Sequence, residues 1–102
     1  FLDVKKVKPE QFTVLDNYPN PFNPKTKINI FIEKDAHISL DIFTINGRKI
    51  RTLFNGSVSS GVNQFTWDGK NSYGEKVSSG IYINTLMENG FLIGSNRMLM
   101  LK

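Results

Sequence analysis

The sequence predicts an all-β domain, a seven-stranded antiparallel β-sandwich. Apolar and polar residues alternate with a period of two along nearly the whole chain, as they do in strands that bury one face. Asn-Gly pairs at residues 46–47 and 89–90 follow such segments. This pair is the strongest short hairpin signal, because a type I′ turn needs two residues with positive φ. No segment has convincing helical periodicity, which favours two packed sheets.

Each predicted strand is bounded by turn residues. The predicted strands, in order, are residues 11–15, 26–33, 37–45, 48–54, 62–67, 81–88 and 91–102. In the second, isoleucines recur at positions 28, 30 and 32, and in the third, apolar residues recur at 38, 40 and 42. Successive side chains of a strand point to opposite faces, so these six residues define an inner face.

The fourth and fifth strands continue the alternation. The fourth is expected to place Ile50, Thr52 and Phe54 on one side. An irregular connection, which begins with Asn55-Gly56, then leads to the fifth strand. Trp67 ends that strand on the same face as Phe65, which predicts a core position rather than an exposed platform for sugars.

At 102 residues the chain is expected to be one domain. Residues 9–102 would form the β-sandwich, and residues 1–8 would be a linker or the end of a preceding domain. The chain has no signal-peptide pattern and begins with Phe1. We therefore expect Phe1 to be an internal position of a longer precursor or the first residue of a shortened chain.

The net charge of +4 is spread along the chain. Arg48, Lys49 and Arg51 form a basic cluster on a predicted hairpin, where a solvated surface is a better interpretation than a phosphate-binding face. We therefore expect no nucleic-acid partner. The chain also lacks a run of eighteen apolar residues, so no membrane insertion is expected.

The most distinctive part of the chain is the proline-rich segment, residues 17–26, which holds three of the four prolines. A proline fixes its own φ, removes an N–H and pushes the preceding residue into an extended conformation. The segment is therefore expected to be a stiff structural loop rather than a helix or an inner strand. Its structural residues would be Tyr18, Pro19, Pro21, Phe22 and Pro24, with Tyr18 and Phe22 as apolar anchors.

No constellation of residues indicates catalysis or metal binding. The single histidine, His37, has no nucleophile selected by the sequence beside it. Asp68, Asn71 and Glu75 share a polar loop, but Lys70 occupies the position where a calcium loop needs a second oxygen ligand. We expect no enzyme activity, no metal site and no cofactor.

Several motifs in order resemble one family. They are NYPNPFNP at 17–24, IFTINGR at 42–48, FTWDG at 65–69, SGIY at 79–82 and RMLMLK at 97–102. Together they resemble the type A C-terminal sorting domain of the type IX secretion system of Bacteroidota, which is itself similar to the Ig-like domain of flagellar hook-capping proteins. The chain departs from the usual pattern at Asn84-Thr85-Leu86 and at Met100.

The resemblance implies an Ig-like fold and a non-catalytic function. Such a domain directs an N-terminal cargo domain from the periplasm through the type IX outer-membrane translocon. A sortase-like peptidase then removes it, and the cargo is attached to a surface lipid or released outside the cell. The partners implied are the translocon, the peptidase and the cargo.

The terminal segment, residues 97–102, is the part of the chain that we expect the translocon to recognise, with the proline-rich segment as its structural support. Its residues are Arg97, Met98, Leu99, Met100, Leu101 and Lys102. A last strand has few constraints on leaving its sheet, and its backbone could pair with the edge of a receptor. The same residues could equally be the last core strand, and one strand can have both roles.

Two other functions remain open. The first is a carbohydrate-binding or spacer module of an extracellular enzyme. The second is a domain of a flagellar cap subunit, which would bind the hook or assemble with itself.

Overall fold

The computed structural model describes residues 15–101, and these form two antiparallel β-sheets that pack as a sandwich. The strands are β1 Leu15–Tyr18, β2 Thr26–Ile32, β3 Ala36–Thr44, β4 Lys49–Val58, β5 Gly61–Trp67, β6 Gly80–Glu88 and β7 Phe91–Met100. No helix occurs between residues 15 and 101. The predicted seven-stranded antiparallel Ig-like sandwich is confirmed.

The smaller sheet has the strand order β1-β2-β5, and the larger has the order β4-β3-β6-β7. Strands β2, β3 and β5 bury the faces that the alternation predicted. The buried apolar residues are Phe22, Ile28, Ile30, Ile32, Ile38, Leu40, Ile42, Trp67, Tyr82, Leu86, Met98 and Met100. Two of them, Met98 and Met100, lie on β7, so the last strand completes the core.

The first strand extends three residues beyond its predicted end at Leu15. β1 begins at Leu15 and includes Asn17 and Tyr18, which lie opposite Ile28 and Lys27 of β2. The predicted strand covered residues 11–15, and residues 11–14 lie outside the described part. The proline-rich segment therefore begins as an edge strand and turns away only at Pro19, where the first backbone N–H is lost.

The fourth strand is longer than predicted and is bulged twice. Leu53 and Ile50 each have no partner on β3, because the register shifts beside them. The two extra residues change which side chains point inward. Leu53 packs against the core, whereas Thr52 is exposed, so the prediction that Thr52 shares a face with Ile50 and Phe54 was wrong.

The irregular connection predicted after Phe54 was also wrong. Asn55 and Gly56 continue β4, opposite Ser39 and Ile38 of β3. Gly56 lies against the Phe54 ring, since a Cβ on it would be 3.2 Å from the ring's Cζ. This Asn-Gly pair is therefore part of a strand and does not form a turn.

Candidate recognition site: the terminal segment and the proline-rich segment

The terminal segment divides into two sets of side chains. Met98 and Met100 point into the core, and Arg97, Leu99 and Leu101 point to solvent. The alternation follows from the pairing of β7 with β6, which opposes Tyr82 to Met98 and Ile81 to Leu99. Only the second set is accessible to a partner that binds the folded domain. Lys102 lies outside the described residues.

The proline-rich segment covers the outer edge of β7. The Phe22 N–H donates to the Leu99 carbonyl oxygen at 2.9 Å, and the Leu101 N–H donates to the Phe22 carbonyl oxygen at 2.9 Å. Phe22 thus forms a parallel bridge with Met100. The prolines prevent this segment from forming a full strand beside β7. It nevertheless pairs one residue, Phe22, with an edge that would otherwise be open.

Asn20 extends this cover with its side chain. Its Nδ2 donates to the Arg97 carbonyl oxygen at 3.1 Å, and its Oδ1 accepts from the Leu99 N–H at 2.9 Å. A carboxamide has one donor side and one acceptor side, so it can take the place of a peptide group. In the folded domain, Phe22 and Asn20 therefore already occupy this backbone edge, and pairing with a receptor stays a prediction that needs β7 to be released.

The anchor of the proline-rich segment is Phe22. Its side chain is only 2% exposed and its ring centroid lies 5.6 Å from that of Trp67, which in turn lies 5.4 Å from Tyr82. Tyr18 is 77% exposed, so the expectation that it is a second anchor was wrong. Asn17 takes the inward position of β1, which turns the next side chain to solvent.

Asn17 takes part in a buried polar cluster that the sequence reasoning missed. Its Nδ2 donates to Thr26 Oγ1 at 3.1 Å, and its Oδ1 accepts from Asn96 Nδ2 at 2.7 Å. The Thr26 hydroxyl donates to the Pro19 carbonyl oxygen at 2.8 Å. The cluster joins both ends of the proline-rich segment to β7. Asparagines beside prolines were the available signal, because such backbone has few N–H donors and needs side-chain ones.

Met100 is held on its other side by the turn after β5. A Cβ on Gly69 would lie 2.9 Å from Met100 Cε and 3.1 Å from the Pro24 carbonyl oxygen. Gly69 also has a φ of 78°, where side chains are disfavoured. Glycine at this position therefore lets the turn, the proline-rich segment and the last strand meet.

An ion pair fixes the same turn. Arg51 Nη1 lies 2.7 Å from Asp68 Oδ1, which also accepts from the Lys70 N–H at 3.1 Å. Burial acts to raise the pKa of the Asp68 carboxyl, but the hydrogen bonds and charge of Arg51 outweigh it, and the pKa lies below its ordinary value of 3.8. Arg51 of the basic cluster thus has a structural contact.

His37 and Trp67 were the candidates for catalysis and for sugar binding. His37 Nε2 is 2.9 Å from Asn55 Oδ1, and Trp67 is fully buried, so it cannot stack on a sugar. Within residues 15–101, no group of three or more His, Cys, Asp or Glu side chains could hold a metal ion. The same residues include no helix of the length and hydropathy needed to cross a membrane.

The fold and the edge cover define an Ig-like β-sandwich. The FlgD Ig-like domain model matches residues 20–88, and the chain belongs to this family. The match ends before β7, so it does not include the terminal segment. No curated protein matches the chain.

Solved structures with the same fold include proteins of Porphyromonas gingivalis and flagellar FlgD proteins. Dimeric latent PorU from Porphyromonas gingivalis is similar with a TM-score of 0.75 and 18% identity over 87% of this chain and 9% of that one. PorZ, a surface component of the type IX secretion system of that organism, has a TM-score of 0.55 and 21% identity over 86% of this chain and 11% of its own. FlgD from P. aeruginosa has a TM-score of 0.60 and 18% identity over 85% and 72%. The chain thus spans about a tenth of PorU and PorZ.

Proposed function

We propose that this chain is a non-catalytic C-terminal sorting domain of the type IX secretion system. It would direct a cargo domain from the periplasm through the outer-membrane translocon to the cell surface or the medium. A sortase-like peptidase would then remove it. The translocon would recognise the terminal segment, for which the proline-rich segment is the structural support.

The observation that carries the proposal is the way the terminal segment is held. Four hydrogen bonds join Asn20 and Phe22 to the backbone of residues 97–101 and keep it in place. This arrangement fixes three outward side chains at one end of a rigid sandwich. The likeness to domains of PorU and PorZ, one of them a type IX secretion component by its description, supports the same setting.

A reporter fusion tests the proposal. The full chain is placed after a periplasmic reporter in a host that has the type IX machinery, and in the same host lacking the translocon. We expect reporter at the surface or in the medium only when the translocon is present. Reporter that stays in the periplasm of both hosts, while a fusion with an established signal is exported, would refute the proposal.

Membership in the FlgD Ig-like family supports a second candidate, a domain of a flagellar cap. FlgD from Xanthomonas campestris is described as a hook-capping protein essential for flagellar assembly, and it shares the fold with a TM-score of 0.59 and 17% identity over 87% of this chain. Sedimentation of the purified chain with polymerised hook protein distinguishes the candidates. Specific binding to hooks would favour the cap, and its absence would favour the sorting domain.

A further inference from the structure

The outer face of the larger sheet carries apolar residues where an exposed antiparallel sheet is expected to be polar. The register aligns one residue from each strand in a row, Lys49, Phe43, Ile83 and Arg97. A second pair beside it joins Ile81 to Leu99, which are 39% and 37% exposed. We call these six residues the outer row.

The other sheet also exposes apolar residues, since Phe31 lies opposite Val62 and Tyr18 is exposed as well. Its exposed side has polar residues along most of β2 and β5, and Gln64 Nε2 donates to Asn29 Oδ1 across the strands at 2.8 Å. A contiguous exposed apolar area with a polar rim marks an interaction surface more often than scattered apolar residues do. Apolar exposure alone therefore does not select one face, and the charge and the cleft beside Arg97 favour the larger sheet.

The charges of the outer row indicate which kind of partner it would bind. Both ends of the outer row are cations, and Lys49 has Asp41 Oδ1 at 3.8 Å. Arg97 is exposed, and no carboxylate of residues 15–101 lies within 4 Å of it. Beside Arg97, a cleft of about 180 Å³ is lined by Asn20, Ile81, Met98 and Leu99. An apolar side chain can enter the cleft while a neighbouring carboxylate meets the guanidinium with two hydrogen bonds.

We propose that the outer row docks a protein segment in which an apolar side chain is followed closely by an aspartate or glutamate. The proposal rests on the proposed function and specifies it, because Arg97 and Leu99 belong to the terminal segment. Since the β7 backbone edge is occupied by Asn20 and Phe22, recognition of the folded domain uses side chains and not added strand pairing. It also extends the recognition site beyond the terminal segment to Ile81, Ile83 and Phe43.

The test uses the full chain fused to the reporter, with Leu99→Glu, Ile81→Glu, Arg97→Gln and Arg97→Glu variants. Val62→Glu is the matched control, because Val62 is an exposed strand residue of the other sheet, at 75% exposure. We expect export to fall about tenfold or more for Leu99→Glu, Ile81→Glu and Arg97→Gln. Arg97→Glu should fall further, because it repels a carboxylate, and Val62→Glu should match the parent chain.

Thermal melting of each purified chain separates docking from folding. If Leu99→Glu melts below the control, Leu99→Thr replaces it, since threonine keeps strand propensity and removes the apolar contact. Normal export of all outer-row variants, beside normal export of the parent, would overturn this proposal alone. Failure of the parent chain to be exported would overturn the proposed function as well. Equal export of Arg97→Gln and Arg97→Glu would overturn the inference that the docked segment carries an aspartate or glutamate.

The outer row could instead bind a second copy of the chain. Analytical ultracentrifugation of the parent and of Leu99→Glu decides this point. We expect both to be monomers over the same concentration range. A parent dimer that Leu99→Glu separates would overturn the proposal of a different partner protein.

Discussion

Asn20 shows how one side chain can complete a sheet edge. Its carboxamide bonds to the Arg97 carbonyl and the Leu99 N–H, so it does what a peptide group of a neighbouring strand would do. The proline-rich segment could not supply a second strand residue here, because Pro19 and Pro21 flank Asn20 and have no N–H to donate. The Asn20 side chain has both a donor and an acceptor, so it pairs with β7 in place of a backbone peptide group.

Replacing Asn20 tests this role. We expect Asn20→Ala to lower the free energy of unfolding by about 1–2 kcal/mol, since two exposed hydrogen bonds to backbone are lost. Denaturant unfolding measures the change, and amide exchange at Leu99 should become faster. Asn23→Ala is the control, as Asn23 is exposed in the same segment. Equal stability of the two variants would contradict the role of Asn20.

Gly69 is a residue where space and backbone conformation both matter. Gly69→Ala should destabilise the domain more than Gly47→Ala, because both glycines have positive φ but only Gly69 faces Met100 and Pro24. We expect a difference of roughly 1–3 kcal/mol from the overpacked contact. Thermal or denaturant unfolding of the two variants measures it, and a difference near zero would mean that Met100 moves aside freely.

Asp68 gives the stability a dependence on pH. A carboxyl whose pKa is lowered by folding stabilises the native state above its unfolded pKa, and that contribution is lost as the pH falls through the folded value. We expect Asp68→Asn to cost roughly 1 kcal/mol at neutral pH and progressively less below pH 3.8.

Unfolding in urea across this pH range measures the effect. Glu33→Gln is the matched control, since Glu33 is exposed and makes no ion pair or side-chain hydrogen bond within the described residues. A loss of stability in Asp68→Asn that stays constant down to the lowest pH would show that Arg51 does not depend on the charge of Asp68.

At the scale of the elements, β7 combines a structural and a displayed face. Met98 is 1% exposed and Leu99 is 37% exposed, although both are apolar and adjacent. We expect Met98→Ala to cost about 2–5 kcal/mol, because it leaves a cavity in the core, and Leu99→Ala to cost less than about 1.5 kcal/mol. Denaturant unfolding distinguishes them. Similar losses would mean that the alternation along β7 is not what divides the two roles.

The strands that alternate strictly could be predicted from the sequence, and the irregular ones could not. β2 and β3 bury the isoleucines and leucine that the period of two selects. β4 is different, since its two bulges depend on how it meets β3, and nothing local to Leu53 or Thr52 signals an extra residue. Asn55-Gly56 likewise has turn chemistry locally, but pairing with β3 overrides it.

The candidate site shows the same limit. The terminal segment and the proline-rich segment were each singled out by composition and motif. The proline-rich segment was expected to support the terminal segment, but the hydrogen bonds between them were not predicted, because they join residues that are 77 and 79 positions apart. The position of Tyr18 also depended on whether β1 extends into the proline-rich segment, which turn and proline rules disfavour.

At the scale of the whole molecule, the terminal segment contributes both an edge of the larger sheet and two residues of the core. Removing residues 98–102 deletes two buried methionines, which together are worth about 4–10 kcal/mol, against a total stability of roughly 5–15 kcal/mol. We therefore expect the shortened chain to lose cooperative unfolding, as measured by circular dichroism during heating. A cooperative transition near that of the parent would show that the fold does not need residues 98–102.

This expectation affects how export experiments are interpreted. A shortened chain that is not exported could have lost its fold and not only its recognition residues. Substitutions at Arg97 and Leu99 avoid this problem, because their side chains are outside the core. They are the better test of the proposed recognition by the translocon.

The bridge between Phe22 and Met100 also bears on how the chain is made. Phe22 leaves the ribosome long before β7, which is the last of the seven strands in sequence order. Until β7 arrives, Phe22 and Trp67 have no complete core to enter, and the contact closes a long loop. A prematurely terminated chain would keep these aromatic rings exposed to chaperones and proteases. A chain that stops before β7 would therefore differ from the whole domain in the exposure of Phe22 and Trp67.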